Sequence, residues 1–480
     1  MNPNFSRSYD LLWLSLALLI LLPIAFFLSI TPHDYWFYVR IGKDILQTGI
    51  IPRVDTFSYT FPGRPIFYQP WLSAVIFWWA HSLGGATLTY LLRGICIGLA
   101  YALVWVLMRH VGTGTKLATV LTVILGLSSS MNWSMRPQMF AYPLFALMLW
   151  VLWHWQNGRP KLMWTLPLIT LLWANLHGSF ILAFILMGSA VVFGTGDRKK
   201  LILWFVLSLF ATLLNPRGVF VWEFVSQMLS SPSDQMFATE WRPPVNAGWQ
   251  MNIFFGWLLL SIPLVALSPR RLSVLEWIWF LGFGWLASSG LRYVIWFMFI
   301  MAVLSGGLLA ELLKSFQRAA GTNESKPTFN YALSAFIFIL PLMMLPGLRE
   351  SWWKDAPPAY HEATTPIVAT QWLADHPNLA GPLFNEYTFG SYLTFALPSR
   401  LLWIDNRFNA YPPEHWKKYQ VISSAQYPWE KLLDADKVNL MMLSLTTQKT
   451  LIDAVTDSKQ WCEQYRDKTA VIFSRCNPIP

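Results

Sequence analysis

Long apolar runs recur along this chain as far as about residue 347, and they fix what it can become. Backbone buried in hydrocarbon must satisfy its own N–H and C=O groups, so a run of about 20 apolar residues reads as a spanning helix. Eleven runs fit: roughly 11–30, 87–108, 117–134, 139–156, 162–178, 179–195, 201–216, 250–267, 273–290, 293–313 and 329–347. Alternate turns between them differ sharply. One set is short and basic: Arg109 to Lys116, Arg159 to Lys161, Arg198-Lys199-Lys200, Arg270-Arg271 and Lys314 to Lys326. The other set holds Arg136, Gln138, His177, Arg217, Glu240 and Arg292. Lys and Arg collect in cytoplasmic loops, so the second set is expected outside. The N-terminus is then cytoplasmic and the C-terminus periplasmic. No small-x-small cleavage site follows the first run, which is read as an anchor and not a signal peptide.

Composition supports this topology. The chain is 55% hydrophobic and 12% charged, against about 25% charged in ordinary soluble domains. The formal charge of +10 is not a nucleic-acid footprint. Residues 1–347 hold 22 basic and 11 acidic residues, and 13 of the 22 are Arg7 and the basic turns. The excess is topological, and no nucleic-acid partner is expected.

Residues 70–83 are apolar for only fourteen positions, which suits an interfacial or re-entrant helix better than a span. Counting them as a span would also invert every later turn. Residues 31–86 therefore read as a first outer loop, with a helix over 35–48 closed by Gly49. Residues 215–249 read as a second large outer loop.

From residue 348 charge density rises and apolar runs shorten. Strand-like runs at 382–384, 400–404, 438–444 and 470–474 alternate with helix-like stretches at 366–375, 428–433 and 447–457. The expectation is a polytopic α-helical membrane domain over 1–347 followed by a periplasmic soluble α/β domain over 348–480. Cys462 and Cys476 both fall in that domain, and a turn near Asp467-Lys468 would bring them together as a disulfide in an oxidising compartment.

Polar groups at membrane depth mark substrate or ion sites. His33-Asp34 follows the first run at its outer end. Asp34 fits either an N-cap for the next helix or a general base for an acceptor hydroxyl. Arg136, Arg217 and Arg292 each sit at the outer end of a run and suit a phosphate, which a planar guanidinium binds in bidentate fashion. They equally suit lipid headgroups. Asn175 and His177, within an apolar run, and Gln138 and Glu240 complete the candidate set. Turns at 385–392 and 405–407 would cap the membrane site or bind acceptor, or serve only as turns. There is no P-loop, GxGxxG, HExxH or serine nucleophile elbow.

Asp34, the amphipathic helix, Gly49-x-x-Pro52, Gly63-x-Pro65 and Gln69-Pro70-Trp71-Leu72 together resemble the first outer loop of GT-C glycosyltransferases. The nearest pattern is that of protein O-mannosyltransferases and the lipid A aminoarabinose transferase. The resemblance covers about residues 31–137 and rests on the order of elements. It implies a bacterial inner-membrane enzyme that transfers a sugar, with inversion, from a polyprenyl-phosphate carrier to a periplasmic glycan, lipid or protein. Asp34 would be the base. Two departures stand out: His33 occupies the place of a second acid, and Arg136-Pro137-Gln138 stands where relatives carry another. A metal site of the oligosaccharyltransferase type needs several carboxylates. Here Asp34 and Glu240, with His177 or His33, would be the ligands of a divalent cation such as Mg or Mn, and the sequence demands no other cofactor. Two further classes compete: a lipid or glycan transporter, and a non-catalytic subunit of an envelope assembly. A transporter calls for mid-span charges and paired halves, whereas these charges gather at one face and no halves repeat.

Overall fold

A computed structural model describes residues 7–314, 326–354 and 361–477. Most of the expected Lys314–Lys326 turn, and Pro480, lie outside the described residues. The helices begin with α1 (Arg7–Phe27), α2 (Tyr35–Thr48), α3 (Trp71–His110), α4 (Thr115–Ser129), α5 (Gln138–Gln156), α6 (Leu166–Leu176) and α7 (Ile181–Phe193). They continue with α8 (Arg198–Thr212), α9 (Phe220–Ser230), α10 (Pro232–Phe237), α11 (Trp249–Leu267), α12 (Val274–Ser289), α13 (Val294–Lys314) and α14 (Pro327–Ile339). Each of the eleven expected spans contains helix. Among the described residues, five segments are long and apolar enough to cross a membrane alone: α1, α3, α11, Leu291–Lys314 and Pro327–Met344. This is a multi-pass membrane protein.

The expected re-entrant helix and second span are two arms of α3. They break at Gly84 (φ −153°, ψ 21°) and Gly85 (φ 54°, ψ −135°). The Gly85 conformation is one that side-chain-bearing residues resist, so the break is written in the Gly84-Gly85 pair.

The chain divides into two compact units at Leu28/Ser29, Ser82/Leu83, Val225/Ser226, Ala238/Thr239 and Ala356/Pro357. In the first unit α1 packs on α4 and α14, α6 on α8, and α12 on α13. Within Leu291–Lys314, 89% of the most apolar stretch is buried, making it the central helix. Two cations of the basic turns are neutralised internally. Arg109 is buried with Nε 3.1 Å from Asp10 Oδ1, which also accepts from Thr115 Oγ at 2.7 Å. Arg270 pairs with Glu276, the N3 residue of a capping box on Ser273. At the surface, Lys200 pairs with Asp197 and Lys314 with Glu311.

The second unit joins the first outer loop and residues 226–238 to 361–477. The 347/348 division expected from composition does not show this joining. Backbone bonds account for it: Tyr59 N–H donates to Leu402 O at 3.1 Å, and Leu402 N–H to Phe57 O at 2.9 Å. Ser233 Oγ donates to Tyr411 O at 3.0 Å. The remaining helices are α15 (Ile367–Asp375), α16 (Gly390–Ala396), α17 (Pro413–Ser423), α18 (Trp429–Ala435) and α19 (Lys449–Asp457). Strands β1 (Leu383–Asn385), β2 (Leu440–Ser444), β3 (Trp461–Arg466) and β4 (Ala470–Arg475) form one sheet in the order β1-β2-β4-β3. β1 runs parallel to β2, with Phe384 opposite Met441, and the other pairings are antiparallel.

Three of the four strand-like runs are strands. Residues 400–404 are not: Leu402 makes only isolated bridges, to Leu383 and Ser58. β3 was not expected, because it is an edge strand and its residues Cys462–Arg466 stay partly or fully exposed. The Cys462–Cys476 disulfide ties β3 to the end of β4, with Cα atoms 5.2 Å apart. α2 ends as expected: Gly49 (φ 70°) donates its N–H to Ile45 O at 2.8 Å.

Candidate active site

In the first unit three candidate side chains converge. Pro137, preset for a helix start, opens α5 and leaves Arg136 at its mouth. Glu240 lies on the short turn Thr239–Trp241, and Arg292 on the turn Leu291–Tyr293 between α12 and α13. The two turns are stitched by Leu291 N–H donating to Arg242 O at 2.9 Å. Arg136 Nη1 pairs with Glu240 Oε2, while Arg292 Nη1 lies 3.5 Å from Oε1. Each carboxylate oxygen thus faces a different guanidinium. Arg292 also lies 4.4 Å from the Trp241 ring centre, a cation–π contact, and its carbonyl accepts from Gln138 Nε2 at 3.3 Å. Burial raises the Glu240 carboxyl, but Arg136 and Arg292 outweigh it and hold the group below its ordinary value. The trio carries net +1.

His177 ends α6 in extended backbone. Ser179 N–H donates to its Nδ1 at 3.1 Å, and Ser179 Oγ lies 2.7 Å from the same atom. An Nδ1 that accepts leaves the ring proton on Nε2. The ring interacts electrostatically with Glu240. Asn175 does structural work: its amide donates to Leu171 O at 2.8 Å and to Leu214 O at 3.2 Å, fastening α6 to the chain just past α8. Arg217 lies in the turn after α8, where its backbone N–H donates to Asn215 Oδ1 at 2.7 Å.

Asp34 and His33 belong to the second unit. Asp34 sits at φ 30°, ψ −56°, and its side chain makes no capping bond to α2. The N-cap alternative therefore lacks its defining contact. Positive φ on a residue with a Cβ costs roughly 1–3 kcal/mol and persists where the surroundings enforce it. Asn406 Nδ2 instead donates to Asp34 Oδ1 at 2.5 Å. The His33 carbonyl accepts from Tyr35 N–H, also at 2.5 Å.

Asn406 is presented by a buried ionic network. Arg407 forks onto Asp405, with Nε 2.9 Å from Oδ1 and Nη2 2.6 Å from Oδ2. Nη2 also reaches Asp55 Oδ1 at 2.7 Å, and Nη1 reaches Tyr68 OH at 2.7 Å. Tyr411 OH donates to Asp405 Oδ2 at 2.9 Å. Burial raises the Asp55 carboxyl, yet Arg407 prevails and holds it below its ordinary value. The sequence marked 405–407 only as a polar turn. Its link to Asp34 spans 372 positions, and no local pattern announces that.

The chain also holds one Asp-x-Asp triplet, Asp434-Ala435-Asp436. Asp434 pairs with Arg475, and Asp436 with Lys418 at 2.6 Å. Among the described residues, no three or more His, Cys, Asp or Glu side chains converge as metal ligands.

No family model and no curated protein matches the chain. Solved structures do. The chain is similar to the Archaeoglobus fulgidus oligosaccharyltransferase AglB in complex with an inhibitory peptide and a dolichol-phosphate (12% identity, TM-score 0.59, 96% of this chain and 73% of that one). It is similar to ArnT from Cupriavidus metallidurans bound to undecaprenyl phosphate (13%, 0.51, 98% of each). It is similar to the mycobacterial arabinofuranosyltransferase AftD (13%, 0.60, 99% of this chain and 42% of that one). These likenesses show the fold, a polytopic helical membrane fold with a small C-terminal sheet.

Proposed function

We propose that this protein is a glycosyltransferase that moves a sugar from a polyprenyl-phosphate carrier to a periplasmic glycan, lipid or protein. The observation that carries the reading is Asp34: a carboxylate at a strained backbone position just past the first span, gripped by Asn406 instead of capping its helix. Solved structures of this fold with dolichol-phosphate and undecaprenyl phosphate support the choice of donor. In the proposed reaction the acceptor hydroxyl gives its proton to Asp34. Its oxygen bonds to the anomeric carbon as the bond from that carbon to the phosphate oxygen breaks. The carrier leaves as a phosphate dianion, a group that guanidiniums such as those of Arg136 and Arg292 suit chemically. Arg217, Gln138 and His177 contribute to substrate binding at the same membrane face.

Glu240 fits the role of shared counter-ion better than that of proton acceptor, since both its oxygens face guanidiniums. Two arginines on that carboxylate also disfavour a dication there, so the residues present do not fit a divalent site and no step is routed through one. The protein resides in a bacterial inner membrane with eleven spans, its N-terminus cytoplasmic and its C-terminus periplasmic.

The test uses purified protein in lipid nanodiscs and a panel of undecaprenyl-phosphate sugars. Asp34→Asn should insert and fold normally while transfer falls about 10²–10⁴-fold, the usual contribution of a positioned proton acceptor. Asn406→Ala removes a hydrogen bond to a charged group, of about 1.5–3 kcal/mol, and should lower kcat about 10- to 150-fold. Near-normal transfer by Asp34→Asn protein refutes the assignment.

A further inference from the structure

We propose that the second unit carries a separate binding site for a neutral saccharide, in the open cleft between the Tyr59–Phe61 segment and helices α17 and α18. The cleft has a volume of about 520 Å³, within the usual range of small-molecule sites. It is lined by aromatic rings and balanced charge. Two carboxylates, Glu414 and Asp436, face two ammonium groups, Lys418 and Lys437. Burial pushes His415 down to about 4, so its ring is neutral near pH 7. The cleft therefore has no net charge to attract a phosphate or an acidic polymer, and its carboxylates oppose one.

Its polar groups are pre-positioned. The buried Trp403 indole donates to Asp436 Oδ2 at 2.7 Å, and Lys418 Nζ to the same oxygen at 2.6 Å. Both contacts fall on one carboxylate oxygen. Phe61 stands edge-on to His415, with ring centres 4.9 Å apart. Thr60 Oγ is committed to Trp403 O at 2.8 Å. Tyr59 is the exception: its hydroxyl is buried and has no hydrogen-bond partner among the described residues. A buried hydroxyl without a partner is uncommon and costs free energy. A ligand hydroxyl would satisfy it. Aromatic rings, a carboxylate, ammonium donors and a waiting phenol are the groups that stack on and hydrogen-bond a polyhydroxylated ring. The proposal stands independently of Asp34 and of the transfer reaction.

Full-length protein, purified in a zwitterionic detergent without a sugar headgroup, would be applied to a printed array of neutral and acidic oligosaccharides. Wild-type protein should retain neutral oligosaccharides. Tyr59→Phe deletes only the hydroxyl and should weaken that binding about 5- to 15-fold, and Phe61→Ala should weaken it further. Asp34→Asn protein should bind the array as wild type does. Tyr59→Phe should melt no lower than wild type, because the deleted hydroxyl has no protein partner to lose. The proposal is overturned if no glycan or only acidic glycans are retained, if both cleft variants bind as wild type, or if Tyr59→Phe loses stability.

Discussion

Arg407 is the residue whose loss should be most informative. Its guanidinium is buried against two buried carboxylates, Asp55 at 2.7 Å and Asp405 at 2.6 Å. Arg407→Met fills the space but leaves both acids uncompensated. Removing one partner of a buried ion pair typically costs 3–5 kcal/mol. At roughly 2–4 °C per kcal/mol for a unit of this size, the second unit should melt about 6–20 °C lower. The pH dependence sets the sign. In the native protein the Asp55 carboxyl is held below its unfolded value, so the stability it contributes is present above about pH 4 and is lost only as pH falls further. In the variant, burial acts on Asp55 without the arginine and raises its carboxyl above the unfolded value. The penalty is then largest at pH 8 and eases toward pH 5. Arg407→Lys keeps the charge without the fork and should fall between. The assay is intrinsic tryptophan fluorescence during heating, in detergent, from pH 5 to 8. A shift under about 2 °C, or one of equal size at every pH, refutes the electrostatic account of the network.

Three further outcomes follow. Glu240→Gln should lower transfer only about 3- to 10-fold and tighten inhibition by free polyprenyl phosphate. Pairs that keep this much contact with solvent, with Glu240 about one-third exposed at 32%, are worth about 1 kcal/mol, and the freed guanidiniums would hold the product longer. A loss as large as that of Asp34→Asn, partly restored by excess Mn²⁺, would instead make Glu240 a metal ligand. Replacing both Cys462 and Cys476 with Ser should cost about 2–4 kcal/mol, given the short loop they close, and lower the second unit's melting point by about 4–16 °C; unchanged melting would show that the bridge contributes little. Reporter fusions after Lys116, Arg159 and Arg271 should report cytoplasm, and fusions after Gly248 and at Pro480 the periplasm. A cytoplasmic Pro480 fusion would overturn the outward placement of Arg136, Glu240 and Arg292.

The membrane part was legible because its rule is simple. Runs of apolar residues must become helix in hydrocarbon, and each of the eleven runs contains helix, while α2, α9 and α10 fall in the two large loops. The fourteen-residue run and the span at 87–108 were read as separate helices; the structure joins them in α3 across the Gly84-Gly85 break. The second unit was less legible because its strands obey context. Residues 400–404 look like a strand and 402–404 are buried, but the Leu402 N–H and C=O are used by Phe57 and Tyr59, some 340 positions away. β3 looks like a loop because an edge strand with one solvated face keeps Glu463, Gln464 and Arg466.

The candidate site divides along the same line. Arg136, Glu240 and Arg292 could be chosen from sequence because topology alone put them at one face of the membrane. That they share one carboxylate could not be read, since the contact joins three turns separated by roughly 50 to 100 residues. This changes the chemistry assigned to Glu240. An acid in an outer loop reads as a base or a metal ligand until its neighbours are known. With a guanidinium on each oxygen it is already ionised and already paired, so a proton acceptor must be sought elsewhere. The proposed function places it at Asp34, one of whose oxygens accepts from the neutral amide of Asn406, the neighbour of Arg407 in the buried network.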